Sequence, residues 1–215
     1  MKFPKIKGLI IEWIAGTGKT TFLKNFLKSK QWINKQNLSS LVLSEHYTQR
    51  ILEKKDKQSW LLKQDNINLL NNILLQIESC AQNSVQLEWL GNDHNFLFIL
   101  ERFHLTHVYR YDHINWEDVT DIDRRLNNVN AQICLFVIEK DDIKPRIIDE
   151  YIKFWWWDYL KNYGNNEKDI IENYWNKQQL LLKTAQKSCI PIKIINTSKT
   201  LEDKAFQEIL NFWNI

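Results

Sequence analysis

The feature of this sequence that most restricts its fold is a loop with two closely spaced glycines, Gly16 and Gly18, followed directly by Lys19 and Thr20. The chain has only 5 glycines among 215 residues, so composition alone does not account for the pair. The preceding apolar run, Leu9–Ile11, is too short for a helix, and we interpret it as a buried strand. After the loop, apolar residues recur at helical spacing. A G-K-[ST] sequence between a strand and a helix matches the phosphate-loop, or Walker A, pattern.

This loop predicts a binding site for ATP and Mg²⁺. Backbone N–H groups of residues 16–20 would converge on a phosphate, helped by the positive end of the following helix. Lys19 would neutralise the β- and γ-oxygens, and the Thr20 hydroxyl would ligate Mg²⁺. The predicted nucleotide-binding residues are Gly16, Thr17, Gly18, Lys19, Thr20 and Thr21. The alternative is a glycine-rich strand–helix turn with no ligand.

Trp13 stands where the phosphate-loop pattern has its first glycine. If that position needs a positive φ, a bulky residue there costs ~1–3 kcal/mol. Such a cost would lower the population of the binding-competent loop about 5- to 150-fold. We also expect the indole to lie toward the neighbouring substrate cleft. Trp13 therefore bears on activity more than on fold.

The remaining periodicity predicts a parallel sheet covered by helices on both faces. Four more apolar runs are interpreted as strands, at 41–43, 96–100, 133–138 and 192–195. Helical spacing is found at 19–28, 67–77, 167–188 and after 200. The predicted fold is a three-layer α/β P-loop NTPase fold with a five-stranded parallel sheet. Residues 1–215 are expected to form one domain, with a helical lid segment at about 141–165.

Composition and charge exclude several classes of protein. The net charge of +3 is too small to suggest nucleic acid or an acidic membrane as a partner. The longest apolar runs fall far below the ~20 residues that a membrane helix needs. Three widely spaced cysteines fit reduced thiols, and no signal-peptide cleavage site is evident. We therefore expect a cytoplasmic protein without nucleic-acid or membrane partners, and leave a homodimer open.

Several segments in order along the chain resemble the thymidylate kinase and deoxynucleoside kinase superfamily. Residues 12–21 read E-W-I-A-G-T-G-K-T-T, similar to the E-G-x-x-G-x-G-K-[ST]-T opening of those proteins. Glu45 matches the Glu that follows the second strand in deoxynucleoside kinases. Glu101 and Arg102 resemble the D-R-Y or E-R-S landmark after the third strand. Residues 195–198 are similar to the loop that holds adenine.

The resemblance and the strand-end positions together suggest a catalytic set with Lys19. Glu45 would act near the 5′-hydroxyl as a general base, the alternative being a solvated loop residue. Glu101 would hold Mg²⁺ through water or accept the acceptor's proton. The alternative is a structural role for Glu101, as a helix cap or as an ion pair with Arg102. Arg102 would clamp a phosphate or carboxylate of the acceptor, the alternative being a structural ion pair. Arg146, after the fourth strand, would either stabilise the transferring phosphate from a lid or lie on a solvated helix.

The sequence does not identify the phosphate acceptor, because it departs from the patterns of both families. Thymidylate kinases usually have Asp where Ala15 stands, and residues 44–47 replace their R-E-P-G-G segment. Phe103 replaces the third residue of the D-R-Y or E-R-S landmark. The predicted function is ATP-dependent phosphoryl transfer to a nucleoside or nucleoside monophosphate. The alternatives are an ATP-binding module with weak or lost activity and an NTPase that acts with a protein partner. ADP release by a Trp13→Gly variant is the measurement that would distinguish these alternatives.

Two further segments carry weaker hypotheses. Three consecutive tryptophans, Trp155 to Trp157, cannot share one helix face. They would dock the lid segment onto the core, stack on a base or contact a partner. His104 and His107 are three residues apart, but no cysteine lies near them in sequence, so we expect no metal site there.

Overall fold

The computed structural model describes residues 6–29, 39–89, 96–153, 157–200 and 202–214. Within these ranges it leaves undescribed the side chains of Lys19, Thr20, residues 85–89, Trp157 and Glu202. The three tryptophans that the sequence singled out therefore lie outside the described side chains. The prediction that residues 1–215 form one domain stays a prediction.

Five parallel strands form one sheet in the order β2-β3-β1-β4-β5. The strands are β1 (Ile6–Trp13), β2 (Ser39–Leu43), β3 (Phe96–Glu101), β4 (Ala131–Val137) and β5 (Ile192–Asn196). Parallel pairing holds throughout, for example Ile10 beside Leu100 on one side and beside Ile133 on the other. All five predicted strands are confirmed, and each is longer than its apolar run by one to five residues.

Helices cover both faces of the sheet. They are α1 (Lys19–Lys28), α2 (Glu45–Thr48), α3 (Glu53–Lys57), α4 (Lys63–Trp89), α5 (His104–Arg110), α6 (Trp116–Asn128), α7 (Asp149–Lys153), α8 (Trp157–Leu160), α9 (Glu167–Ala185) and α10 (Glu202–Trp213). Short 3₁₀ turns span Arg50–Leu52 and Lys140–Asp142, and a π-helical turn spans Lys144–Ile148. Helices α1 and α10 pack on one face, and α4, α5, α6 and α9 pack on the other.

The strands are apolar on both sides because both sides are covered. Along β1, Ile10 belongs to the core cluster under α4, whereas Leu9 and Ile11 belong to the cluster under α1. Gly8 permits a close approach between strands, since a Cβ there would lie 1.9 Å from the Phe98 ring. The three-layer α/β fold is thus confirmed.

The helix predictions were incomplete, since α4 is longer than its predicted segment and neither α5 nor α6 was predicted. Helical spacing at 67–77 predicted a helix there, but α4 spans Lys63–Trp89, and Asp65 lies in its first turn. The Asp65 carboxylate accepts the N–H of Leu62 from inside that turn. Helix α5 was not predicted, because its N-terminus is bonded to Glu12, 91 residues from Phe103, and no local cap is visible.

The topology opens a crevice at the carboxyl ends of the strands. The chain leaves β1 toward the β2 edge and leaves β4 toward the β5 edge, so the connections diverge between neighbouring strands. Open α/β sheets bind ligands at such a point. The segment predicted as a lid is helical in short pieces and packs beside it, with Ile143, Ile147 and Ile148 against Ile14. In the described ranges, no helix combines the length and the hydropathy needed to span a bilayer.

Candidate functional site

The loop between β1 and α1 has the backbone conformation that two glycines allow. Gly16 has φ +75° and Gly18 has φ +83°, a region that other residues rarely adopt. Gly18 is the N-cap residue of α1 and offers no side chain to the first N–H groups of the helix. A Cβ built at Gly18 would meet nothing within 4 Å, so this side of the loop is open. Uncapped N–H groups facing open space suit a phosphate.

A cavity of about 720 Å³, cavity one, adjoins this loop. It extends from the start of α1 across the ends of β4 and β5, and its lining includes Gly16, Thr17, Gly18, Thr21, Phe136, Arg146, residues 197–200 and Phe206. The volume lies within the range of about 300–1,000 Å³ typical of small-molecule sites. Residues predicted for the nucleotide are therefore brought together around a space large enough for one. The side-chain roles of Lys19 and Thr20 stay predictions, because those side chains are not described.

The π-helical turn lies directly over the phosphate loop. A Cβ built at Gly16 would be 2.6 Å from Ile147 Cγ1 and 2.9 Å from the carbonyl oxygen of Arg146. The turn and the loop therefore fit together only because position 16 has no side chain.

Replacing Gly16 by alanine is expected to lower the free energy of unfolding by about 2–4 kcal/mol, from left-handed strain and overpacking. Gly18→Ala is the matched control: it carries the strain of a positive φ without the collision, and should cost about 1–2 kcal/mol. Urea denaturation of both variants measures the difference. Equal losses would show that the contact between turn and loop contributes nothing.

Arg146 lines cavity one and ties two of its walls together. Its Nη1 donates to Thr197 Oγ1 at 2.8 Å and its Nη2 to the Thr197 carbonyl at 2.9 Å. Its Nε lies 4.0 Å from an oxygen of Asp142. The arginine thus connects the π-helical turn to the loop after β5. Its predicted role on the transferring phosphate stays a prediction.

The expectation about Trp13 is wrong in both parts. Trp13 is the last residue of β1, its φ is not positive, and it pairs with Phe136. Its side chain is 2% exposed and belongs to the core cluster under α1. The guanidinium carbon of Arg102 lies 5.1 Å from the centre of its ring, a cation–π contact. The indole packs against Arg102. It lines neither cavity one nor the smaller cavity that adjoins Ile14 and Ala15.

The end of β3 is held in place by the end of β1. Arg102 has φ +49°, and its N–H donates to the carbonyl of Ile11 at 2.9 Å. The next residue, Phe103, donates its N–H to the fully buried carboxylate of Glu12 at 3.0 Å, and Thr106 donates to the same carboxylate. Burial raises the pKa of Glu12, partly offset by nearby His104 and by these hydrogen bonds. Glu12 thus caps α5 and fixes the turn that presents Arg102.

Glu101 and Glu45 are brought together by a hydrogen bond. The N–H of Glu45 donates to Glu101 Oε2 at 3.0 Å, so Glu101 accepts from the start of α2. Glu101 is 4% exposed and lines neither cavity, whereas Glu45 lines the second cavity. The metal and proton roles of Glu101, and the general-base role of Glu45, stay predictions.

A second cavity of about 300 Å³, cavity two, adjoins the start of the phosphate loop. Ile14 and Ala15 line it, whereas Gly16 lines cavity one. Its charged lining consists of Glu45, Arg50, Glu53, Lys57, Arg102, Arg110 and Lys177. Its remaining lining is five tyrosines: Tyr109, Tyr151, Tyr159, Tyr163 and Tyr174.

Three arginines in cavity two share two carboxylates. Arg50 Nε lies 3.0 Å from Glu53, and Arg50 also lies 3.6 Å from Glu45. Arg102 Nε lies 3.3 Å from Glu45, and Arg110 lies 3.8 Å from Glu53. The two glutamates therefore hold the three guanidinium groups in place without neutralising all of them.

Sequence reasoning selected Arg102 and missed the other cations of cavity two. One signal was available, since the chain has only six arginines. Four of them line the cavities, and the other two, Arg124 and Arg125, are on α6 and pair with Asp121 and Glu78. Scarcity of arginine alone does not show which of them meet, because the four come from separate elements.

The histidines have structural partners. His104 Nε2 lies 2.9 Å from Asp123 Oδ1, and His107 Nδ1 lies 2.7 Å from Asn66 Oδ1. Burial lowers the pKa of His107 to about 4. Across the described residues, no three His, Cys, Asp or Glu side chains are grouped so that they could hold a metal ion.

Comparison with known proteins supports the fold. No protein-family model matches the sequence, and no curated protein is similar enough to count as a relative. Among solved structures, the YorR protein of Bacillus subtilis, determined in complex with phosphorylated GDP, superposes with a TM-score of 0.60 over 96% of this chain and 95% of that one. The sequences are 9% identical, so the similarity shows the fold alone. Together with the topology and the loop, it establishes a three-layer α/β P-loop NTPase fold.

Proposed function

We propose that this protein transfers the γ-phosphoryl group of ATP, bound with Mg²⁺, to a nucleoside or nucleoside monophosphate, as members of the thymidylate kinase and deoxynucleoside kinase superfamily do. The observation that carries the proposal is that one loop lines both cavities, with Ile14 and Ala15 at cavity two and residues 16–18 at cavity one. A transferase must hold donor and acceptor next to each other, with the transferred group between them. The resemblance of residues 12–21 to the opening of that superfamily and the nucleotide complex of YorR support the same function.

Cavity one suits the donor. Backbone N–H groups after Gly18 would bind the phosphates, and Lys19 and Thr20 would contact the phosphates and Mg²⁺. Arg146 and Thr197 are placed beside the same space. Bound ATP supplies the phosphoryl group, and the chain's own part is to orient the two substrates and balance their charge.

Cavity two suits the acceptor. Arg102 would clamp it from the turn that Glu12 fixes, with Trp13 below. Glu45 lies 3.3 Å from Arg102 and is the carboxylate of this cavity that would act as the general base. Phosphoryl transfer depends on positioning more than on a strong base, so a carboxylate already paired with arginine is compatible with it.

The test is ADP release from ATP, measured with and without each member of a panel of nucleosides and nucleoside monophosphates. We expect release that depends on one or a few acceptors, and its loss in Lys19→Ala with the fold retained. If the protein binds ATP but no acceptor supports turnover, the proposal fails and a nucleotide-binding module is left. Hydrolysis that no acceptor changes would instead favour an NTPase, such as one acting with a protein partner.

A further inference from the structure

The five cations of cavity two outnumber its two carboxylates, which gives the lining a formal charge of +3. The cavity is small, and low-dielectric walls strengthen the repulsion between like charges. A site built this way is stabilised by an anion. A neutral acceptor would leave the surplus charge unbalanced.

Two of the arginines also have unused donors inside the cavity walls. The Nε atoms of Arg102 and Arg110 are buried without a hydrogen-bond partner, although Arg102 Nε lies 3.3 Å from Glu45 as an ion pair. Buried donors are rarely left unsatisfied in folded proteins. The guanidinium fork is the side-chain group best suited to two oxygens of one phosphate.

Lys177 adds a cation from a separate helix. It projects from α9 and lies over the Tyr163 ring, with its Nζ 4.6 Å from the ring centre. Burial lowers the pKa of Lys177, and the neighbouring charge of Arg110 lowers it further, partly offset by Asp112. Helices α5 and α9 pack against each other, so the two cations face one space. A bound anion would relieve this repulsion.

The tyrosines give cavity two an aromatic wall. Tyr163 and Tyr174 are stacked, with ring centres 4.8 Å apart, and Tyr159 and Tyr163 share a hydrogen bond between their hydroxyls at 2.6 Å. Rings held in this way give the cavity a preformed aromatic wall, and because Tyr174 and Lys177 lie against the faces of Tyr163, a planar base would contact ring edges. A phosphate beside an aromatic group is the chemistry that the cavity as a whole fits.

We infer that the acceptor of cavity two already carries a phosphate dianion next to an aromatic base, and that Arg110 and Lys177 select it over the unphosphorylated nucleoside. This inference rests on the proposed function and narrows it to the monophosphate. Arg50 and Arg102 line the same cavity, and both form an ion pair with Glu45. Neither Arg110 nor Lys177 was indicated by the sequence pattern.

The experiment measures binding to the full chain by calorimetry, using the common nucleoside 5′-monophosphates, the matching nucleosides, ribose 5-phosphate and inorganic phosphate. At least one monophosphate should bind about tenfold to hundredfold more tightly than its nucleoside, as charge-assisted hydrogen bonds predict. Arg110→Gln and Lys177→Gln should each reduce that preference about tenfold while nucleoside binding is retained. The control Arg124→Gln removes the same charge from an exposed position on α6 and should change neither affinity.

Equal binding of nucleoside and monophosphate, or a preference that survives both substitutions, would overturn the inference. Ribose 5-phosphate binding as tightly as the full nucleotide would overturn the part assigned to the aromatic wall. Because Arg110 and Lys177 lie on separate helices, misfolding of one variant would still leave the other as a test. ADP release is measured in parallel: a monophosphate preference without transfer would defeat only the proposed function, and equal transfer to nucleosides would defeat only this inference.

Discussion

Replacing Trp13 by glycine is expected to destabilise the protein by about 4–5 kcal/mol and to reduce activity. Truncating a buried aromatic side chain costs about 3–5 kcal/mol, and glycine within a strand adds about 0.5–1 kcal/mol. Trp13 is 2% exposed between the sheet and α1, and its ring lies under the Arg102 guanidinium. The substitution would therefore leave a cavity in the core and remove the support of Arg102, which lines cavity two.

Urea denaturation measures the loss, and two variants control for it. Trp13→Phe keeps an aromatic ring at the site and should cost about 1–2 kcal/mol, less than the full truncation. Trp60 is 69% exposed, so Trp60→Gly should stay within about 0.5 kcal/mol of the wild type. A stable Trp13→Gly protein with faster ADP release would instead support the strained loop that the sequence suggested.

Replacing Glu12 by alanine is expected to lower the free energy of unfolding by about 2–4 kcal/mol. The change leaves three buried donors without an acceptor: the N–H groups of Phe103 and Thr106 and the Thr106 hydroxyl. Glu12→Gln is the matched control, because its amide oxygen still accepts from the two N–H groups. Activity should fall in the alanine variant as well, since the turn at Arg102 loses its anchor. Alanine and glutamine variants of equal stability would contradict this account.

The same pair of proteins predicts a pH dependence. Burial raises the pKa of Glu12, so the folded state holds the proton more tightly than the unfolded state does. The stability from this group is present below its ordinary pKa and is lost as pH rises through the raised value. Wild type should therefore lose stability relative to Glu12→Gln as pH is raised from about 4 toward neutrality. Denaturant midpoints of both proteins across this range measure the difference; parallel curves would show that the pKa is not raised.

Much of the fold could be predicted because its signals are local. Each buried strand is a continuous apolar run, since both faces of a parallel sheet are covered. Helix α9 was predicted within a few residues of its end from spacing alone. Helix α5 was missed because its cap is Glu12, and the sequence gives no sign that these two segments meet.

The candidate site was predictable where its residues are contiguous or directly follow a strand, as Arg102 follows β3. The loop at Gly16 and Gly18 was recognised because its chemistry lies in consecutive residues with required backbone angles. Arg50, Arg110 and Lys177 were missed because cavity two gathers them from separate elements. No spacing rule connects such residues.

The sequence by itself determined a phosphate loop at the end of a buried strand and a parallel sheet behind it, because periodicity and glycine spacing are properties of neighbouring residues. Only the tertiary structure decided what Trp13 does, since an extended backbone and a buried ring depend on the strand beside it and the helix above. Only the tertiary structure, likewise, brought three arginines and two glutamates to one cavity. Two of the five glycines line cavity one, and four of the six arginines line the two cavities once the chain is folded.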